Sequence, residues 1–295
     1  MSAISKLCLG TVKLGVPDYG FSSHPQETNF NAVHFLNQVE ALGIRRFDTS
    51  PRYGKAEQML GTYLAQSPNT SIISSKIDEL HIQDANAPQT MRKRVKQSLH
   101  ALKIDKLDIC YLHQNELDIL SDPYIQDGLL QLKSEGLILA TGASVYSLEE
   151  CDYAISSGLF DYIQIPVNIC DVTFYDHVAN IKNTSVKLVA RSLFLQGIIL
   201  NRKQITKRIK QAPEINAYLN QIDQIAKTNA LSLLHLCLAF VNQLDRIDHA
   251  IIGTANISNL KSNLVAFQAH LPLNVIKDVY KLAHKAKPWT NPRNW

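Results

Sequence analysis

Short apolar runs alternate with helix-period segments from one end of the chain to the other, and no other feature constrains the fold as tightly. Strand-like runs fall at Leu7–Thr11, Arg46–Thr49, Ile72–Ile77, Leu107–Leu112, Leu137–Gly142, Tyr162–Ile165, Val186–Arg191 and His249–Gly253. Helix-period segments lie at Phe30–Leu42, Ala56–Ala65, Gln89–Leu102, Tyr124–Ser134, Leu148–Ser156, Tyr175–Ile181, Ile215–Thr228, Leu231–Val241 and Ile257–Phe267. Strands separated by helices pair in parallel, because a parallel pair needs a crossover between its members. Eight such units close a (β/α)8 barrel. The doubly wound alternative carries G-x-G-x-x-G after its first strand, and that motif is absent. The expected fold is therefore an α/β (β/α)8 TIM barrel. It uses the whole chain, 1–295, as a single domain with nothing left for a second.

The boundaries carry their own chemistry. Gly43, Gly136 and Gly158 follow helical segments and suit the left-handed turn that ends a helix. Asp122 before Pro123 reads as a cap followed by a proline in the first turn. Ser147 with Glu150 three residues on is a capping-box pattern. In Gln89–Leu102, Val95, Leu99 and Leu102 form one apolar stripe on a helix otherwise rich in Arg and Lys.

Composition removes several function classes. With 45% hydrophobic and 19% charged residues the chain is not of the disordered type. The apolar run Leu231–Val241 is too short to span a bilayer and holds Ser232 and His235, so it reads as a buried helix. The N-terminus lacks the pattern of a secretory signal. The five cysteines (Cys8, Cys110, Cys151, Cys170, Cys237) form no CxxC pair. They read as buried reduced thiols, and the expected location is cytoplasmic. A net charge of +4 calls for neither a nucleic acid nor a membrane partner, but suits a small anionic ligand.

In a barrel of this kind the active site lies at the carboxyl ends of the strands. Strand two ends in Asp48, followed by Tyr53 and Gly54. Strand three carries Lys76, strand four leads to His113, and strand five to Ser144. Strand six carries Gln164 and leads to Asn168, strand seven ends in Arg191 and Ser192, and strand eight in Gly253 and Thr254. An isolated Asp here is usually a helix cap, an isolated Lys a solvated charge, an isolated His a packed one. Their joint placement on neighbouring strand ends points to a site. A tyrosine, with a pKa of about 10, is a poor acid near neutrality, and a neighbouring ammonium favours its phenolate. Lys76, held by Asp48, would tune Tyr53 in this way while His113 hydrogen-bonds and orients a carbonyl oxygen. The sequence has neither HExxH metal spacing nor a GxSxG nucleophile elbow, so no metal is expected.

On these residues the sequence resembles the aldo-keto reductase family. FDTSPRYGKAEQMLG (47–61) is similar to that family's Asp–Tyr motif, SSKI (74–77) to its Lys segment and DICYLH (108–113) to its His segment. LGTVKLG (9–15), ARSLFLQG (190–197) and IIGTANISNLKSNL (251–264) also fit, so the resemblance spans nearly the whole chain. It implies an enzyme, a carbonyl reductase that transfers hydride from NADPH, or from NADH, to an aldehyde or ketone. It assigns the catalytic roles to Asp48, Tyr53, Lys76 and His113. It places Gly10, Thr11 and Asp48 at the nicotinamide floor, with Ser144, Gln164 and Asn168 as carboxamide partners. Ser192, Leu193 and Gly197, in the segment 192–212 that would fold over the pyrophosphate, are expected cofactor contacts, with Arg202 or Lys203 as added charge. Gly253, Thr254, Asn259 and Asn263 stand at the adenosine end. Tyr19, Tyr53 and His113 are the substrate-side candidates, together with Phe21 in the loop 16–28.

Three departures from the family pattern matter. Val145 follows Ser144 where many members have Asn. Arg191 stands where many stack a tyrosine on the nicotinamide, and a planar guanidinium can also stack. Gly253 and Asn259 fall where others bind a 2′-phosphate with Lys and Arg, leaving Lys261 as the nearby cation. The C-terminal tail, with Trp289, Arg293 and Trp295, is a further candidate border of the substrate pocket, and its aromatic content favours packing over a free end. The basic segment with Lys207, Arg208 and Lys210 reads as a solvated face. The expected substrate is a small polar carbonyl or sugar derivative. The competing readings are a non-catalytic nicotinamide-binding accessory protein and a barrel lyase or isomerase without nicotinamide.

Overall fold

The computed structural model describes residues 3–21, 30–67, 71–114, 116–181, 184–205, 209–285, 287–291 and 294. Its strands are β1 (Leu7–Gly10), β2 (Arg46–Asp48), β3 (Ile72–Ile77), β4 (Leu107–Leu112), β5 (Ile138–Ser144), β6 (Tyr162–Pro166), β7 (Lys187–Arg191) and β8 (Ile247–Gly253). They form a closed barrel in sequence order. Every neighbouring pair is parallel, including β8 with β1. Strands covered on both faces read as near-continuous apolar runs, and β1 and all of β3 after its first residue are buried. Register sets the mouth of the barrel. Gly10 stands opposite both Asp48 and Gly253, Asp48 opposite Ser74, Ser144 opposite Gln164, and Pro166 opposite Arg191.

The helices follow the expected alternation, with their starts adjusted by capping. Helices at Ala87–Leu102, Pro123–Ser134 and Ala212–Thr228 begin one to three residues before the apolar periodicity does. Each admits a proline in its first turn, where the missing N–H costs nothing. The helix expected from Leu231 instead starts at Leu233, because Ser232 accepts the His235 N–H as its cap. The Ser147–Glu150 capping box forms in full. Asp122 accepts from the N–H groups of Tyr124 and Ile125. Gly43, Gly136 and Gly158 all have positive φ. In Ala87–Leu102 the buried side includes Met91, Val95, Leu99 and Leu102, while Lys93 and Lys96 face out.

The short helices Ala3–Lys6, Val12–Gly15 and Leu117–Ser121 were not expected, being too brief for a periodic signal. Among the described residues no single helix is long and apolar enough to cross a membrane. All five cysteines are buried and unpaired.

Candidate active site

Asp48, the last residue of β2, is almost fully buried. Its carboxylate is claimed from three sides. Lys76 Nζ donates to Oδ1 at 2.6 Å, Gln164 Nε2 to Oδ2 at 2.7 Å, and Ser74 Oγ to Oδ2 at 3.4 Å. Lys76 Nζ also donates to the Thr49 carbonyl at 2.8 Å. A buried ion pair is tolerated only with such complete pairing. Tyr53 lies in the turn after β2, where two backbones press together. A Cβ on Gly15 would sit 1.7 Å from the Tyr53 carbonyl oxygen, and one on Gly54 would sit 2.5 Å from the Gly15 carbonyl oxygen. The glycines of LGTVKLG and RYG therefore seat the tyrosine. Lys76 Nζ lies 5.0 Å from the Tyr53 ring centroid. The His113 ring stands edge-on to Tyr53, at 6.3 Å and 89°.

Burial alone would lower the Lys76 pKa. The charges of Asp48 and Tyr53 and its hydrogen bonds to both reverse this and hold it above the ordinary lysine value, so it stays an ammonium. For Tyr53 burial is the largest influence and raises the pKa, Lys76 opposes it, and Asp48 adds to the rise. The net shift is upward. Lys76 thus supplies the expected pull toward the phenolate, but the pull does not outweigh burial. Burial first, and the Lys76 charge second, bring His113 down to about 4, so its imidazole is neutral near pH 7.

The mouth opens into a cavity of about 640 Å³, a size typical of small-molecule sites. Nearly every expected site residue lines it. Tyr19, Tyr53, Lys76 and His113 stand with Gly10 and Asp48. Ser144, Gln164, Arg191, Ser192, Leu193 and Gly197 form another part of the wall, and Gly253, Thr254, Asn259 and Asn263 a third. Thr11 does not face the cavity. Its N–H and hydroxyl both donate to the Asp48 carbonyl, at 2.9 and 3.1 Å, beneath the floor.

Asn168 is also turned to other use. It donates to the Ser192 carbonyl and accepts from the Cys170 N–H. Arg202 is tied to Asn220, Leu219 and Asp223 of the helix Ala212–Thr228, and Lys203 and Lys261 are exposed outside the cavity. Phe21 is buried, and its N–H donates to the Gln196 carbonyl. Trp289 packs against Tyr218 and donates to Glu214 at 3.0 Å, away from the cavity. Trp289 therefore packs, as the aromatic content of the tail implies, and does not line the cavity. Arg293, Trp295, Lys207 and Arg208 lie outside the described residues.

Arg191 takes the position its sequence place implies, with a different neighbour. Its guanidinium lies 3.9 Å over the Tyr146 ring and donates to the Val145 carbonyl at 2.6 Å. Ser192, Leu195, Gln196 and Gly197 adopt positive φ in the loop that follows. That loop meets the first one so closely that a Cβ on Gly20 would sit 2.4 Å from the Gln196 carbonyl oxygen. Sequence reasoning missed Lys13, Tyr146, Gln196 and Leu234 as wall residues. Tyr146 carried a usable signal, two residues past a strand end. Leu234 carried none, since it reaches the cavity from a helix far along the chain.

The fold is a closed (β/α)8 barrel whose mouth gathers a buried carboxylate–ammonium pair, a tyrosine and a histidine around a cavity. The chain belongs to the aldo/keto reductase family, whose model matches residues 6–284. L-galactose dehydrogenase of Arabidopsis thaliana is 25% identical over 285 residues, covering 90% of this chain and 89% of that protein. The NADH-specific methylglyoxal reductase of Escherichia coli (strain K12) is 27% identical over 158 residues, covering 47% of this chain and 48% of that one. Among solved structures, the holo form of aldo-keto reductase AKR11C1 from Bacillus halodurans superposes with a TM-score of 0.73 at 22% identity, covering 96% and 95% of the two chains. The chain is accordingly an NAD(P)H-dependent enzyme whose general chemistry is carbonyl reduction.

Proposed function

We propose that this protein reduces a small polar or sugar-like aldehyde or ketone, with Tyr53 as the general acid. The observation that carries the reading is the buried Asp48–Lys76 pair set against the Tyr53 ring. A reduced nicotinamide, when bound in the cavity, would supply hydride to the carbonyl carbon. As negative charge grows on the carbonyl oxygen, Tyr53 gives up its phenolic proton to it. The phenolate left behind lies beside the Lys76 ammonium, which favours the charge. Asp48 holds that ammonium in place. Neutral His113, at right angles to the phenol, orients the substrate. The phenolate then recovers its proton from solvent.

The residues present fit a nicotinamide dinucleotide. Gln164, whose Nε2 donates to Asp48, and Ser144 face the cavity from adjacent strands, and the buried Arg191 Nε has no hydrogen-bond partner among the described residues. At the far end Asn259, Ser262 and Asn263 are uncharged. This favours acceptance of NADH as well as NADPH, in keeping with a relative named as NADH-specific. A relative named for L-galactose supports the sugar-like substrate. The five unpaired thiols support a reducing, cytoplasmic location.

Tyr53→Phe is expected to lower turnover by about 10²-fold or more while leaving cofactor affinity nearly unchanged. The check is steady-state kinetics on an aldehyde and sugar panel beside fluorescence titrations with NADPH and NADH. Turnover retained in Tyr53→Phe would remove Tyr53 as the acid.

A further inference from the structure

The turn that follows β6 ties the C-terminal tail to the wall of the cavity. Asn168 and Asp171 pair as an antiparallel bridge, each N–H donating to the other's carbonyl at 3.1 Å. The Asn168 side chain closes the turn, its Oδ1 accepting the Cys170 N–H at 2.8 Å. From the tail, Thr290 Oγ1 donates to Asp171 Oδ2 at 2.5 Å, and Lys287 Nζ to the Cys170 carbonyl at 3.0 Å. The Tyr218 hydroxyl donates to the Ile169 carbonyl at 2.7 Å, and Trp289 packs edge-on against that tyrosine. Asn168, Cys170, Trp289 and Thr290 are all buried, so the tail and the turn form one joint. On its other side the joint grips the loop after β7. The Val167 N–H donates to the Arg191 carbonyl and Asn168 Nδ2 to the Ser192 carbonyl, both at 3.1 Å.

Those two grips fall on successive carbonyls where Ser192 takes φ 61°, a region a serine does not adopt unaided. Arg191, Ser192, Leu193, Gln196 and Gly197 line the cavity, whereas Thr290, Lys287 and Asn168 do not. We propose that the C-terminal tail is a brace for this wall: Thr290 and Lys287 hold the turn 168–171, and Asn168 carries that hold to Ser192. All three are positioning residues. With the turn held, Ser192 is kept in its left-handed conformation and the wall it begins is formed before a ligand arrives. With the turn released, Ser192 relaxes toward negative φ, and binding has to supply the ordering of the loop. The brace therefore acts on affinity for the cofactor and not on the proton transfer at Tyr53. It rests on the reading that the loop from Ser192 to Gly197 holds the nicotinamide dinucleotide.

The test is fluorescence titration of the full chain with NADPH, beside urea denaturation to confirm that each variant is folded. Asn168→Ala is expected to raise the NADPH Kd roughly three- to tenfold, the worth of one neutral hydrogen bond. Thr290→Val should raise it roughly threefold or more, and Thr290→Ser, which keeps the hydroxyl, should leave it unchanged. Thr290→Val combined with Asn168→Ala should bind no more weakly than Asn168→Ala alone, because both act through Ser192. If Thr290→Val does not fold, Lys287→Met takes its place in the same cycle. Factors that multiply in the double variant, or a Kd unmoved in Asn168→Ala and Thr290→Val, overturn the brace and leave the reductase reading intact. An unmodified protein that binds neither NADPH nor NADH overturns the nicotinamide reading, and the brace with it.

Discussion

Lys76 is the residue on which the polar centre depends. It neutralises Asp48, reaches the Thr49 carbonyl and faces the Tyr53 ring. Lys76→Met should therefore have two effects. Loss of the ammonium beside the phenolate lowers kcat, and the stranded Asp48 carboxylate destabilises the fold by about 3–5 kcal/mol, as expected for one half of a buried pair. Kinetics and urea denaturation measure the two; undiminished stability would mean that Asp48 takes up a proton instead. Asp48, Tyr53, Lys76 and His113 were legible in the sequence because each sits at or just past a strand end, a position countable from the alternation alone. Tyr111 was not. It lies buried on β4, in register with Lys76 and Gly142. Which residues of a doubly covered strand face inward is not encoded in a continuous apolar run.

At the level of elements, the Gly15–Gly54 contact joins the short helix Val12–Gly15 to the loop that carries Tyr53. Backbone meets backbone there, so no side chain can move aside to admit a methyl group. Gly15→Ala should displace Tyr53 and lower kcat with little effect on cofactor affinity, at a stability cost of roughly 1–3 kcal/mol. Equal kcat in the variant would show that the contact does not seat the tyrosine. One residue past the wall residue Tyr146, Ser147→Ala should cost about 1 kcal/mol by removing half of a capping box, a loss read by urea denaturation. Capping residues made this helix readable to the residue, since observed and expected bounds agree at Leu148–Ser156. The loop after β7 was readable only in outline. Its run of positive φ at Ser192, Leu195 and Gln196 falls on residues with no intrinsic preference for that region, so tertiary contacts impose it. For Trp289 the packing was legible but not the partner, which is Tyr218 and Glu214 rather than the cavity.

For the whole molecule, the half-buried His113 and the buried His249 link stability to pH. His113 and His249 are each brought down to about 4 from the ordinary 6.5, chiefly by burial. Below pH 6.5 the unfolded chain binds protons that the folded chain refuses until about pH 4. Stability should therefore fall as pH drops through that window. Urea midpoints at pH 7, 5.5 and 4.5 check this, and His249→Gln should flatten part of the slope; an equal slope would exclude His249 as a contributor. The ring closure of β8 on β1 has a further consequence. Gly10 comes from the first strand and its partner Gly253 from the last, and both line the same cavity. During synthesis the cradle is incomplete until the final strand has left the ribosome. Cofactor can stabilise only a chain that already has its site. A stalled nascent chain ending before Ile247 should gain no protease resistance from NADPH, whereas the released protein should, making cofactor a stabiliser of finished molecules and not of growing ones.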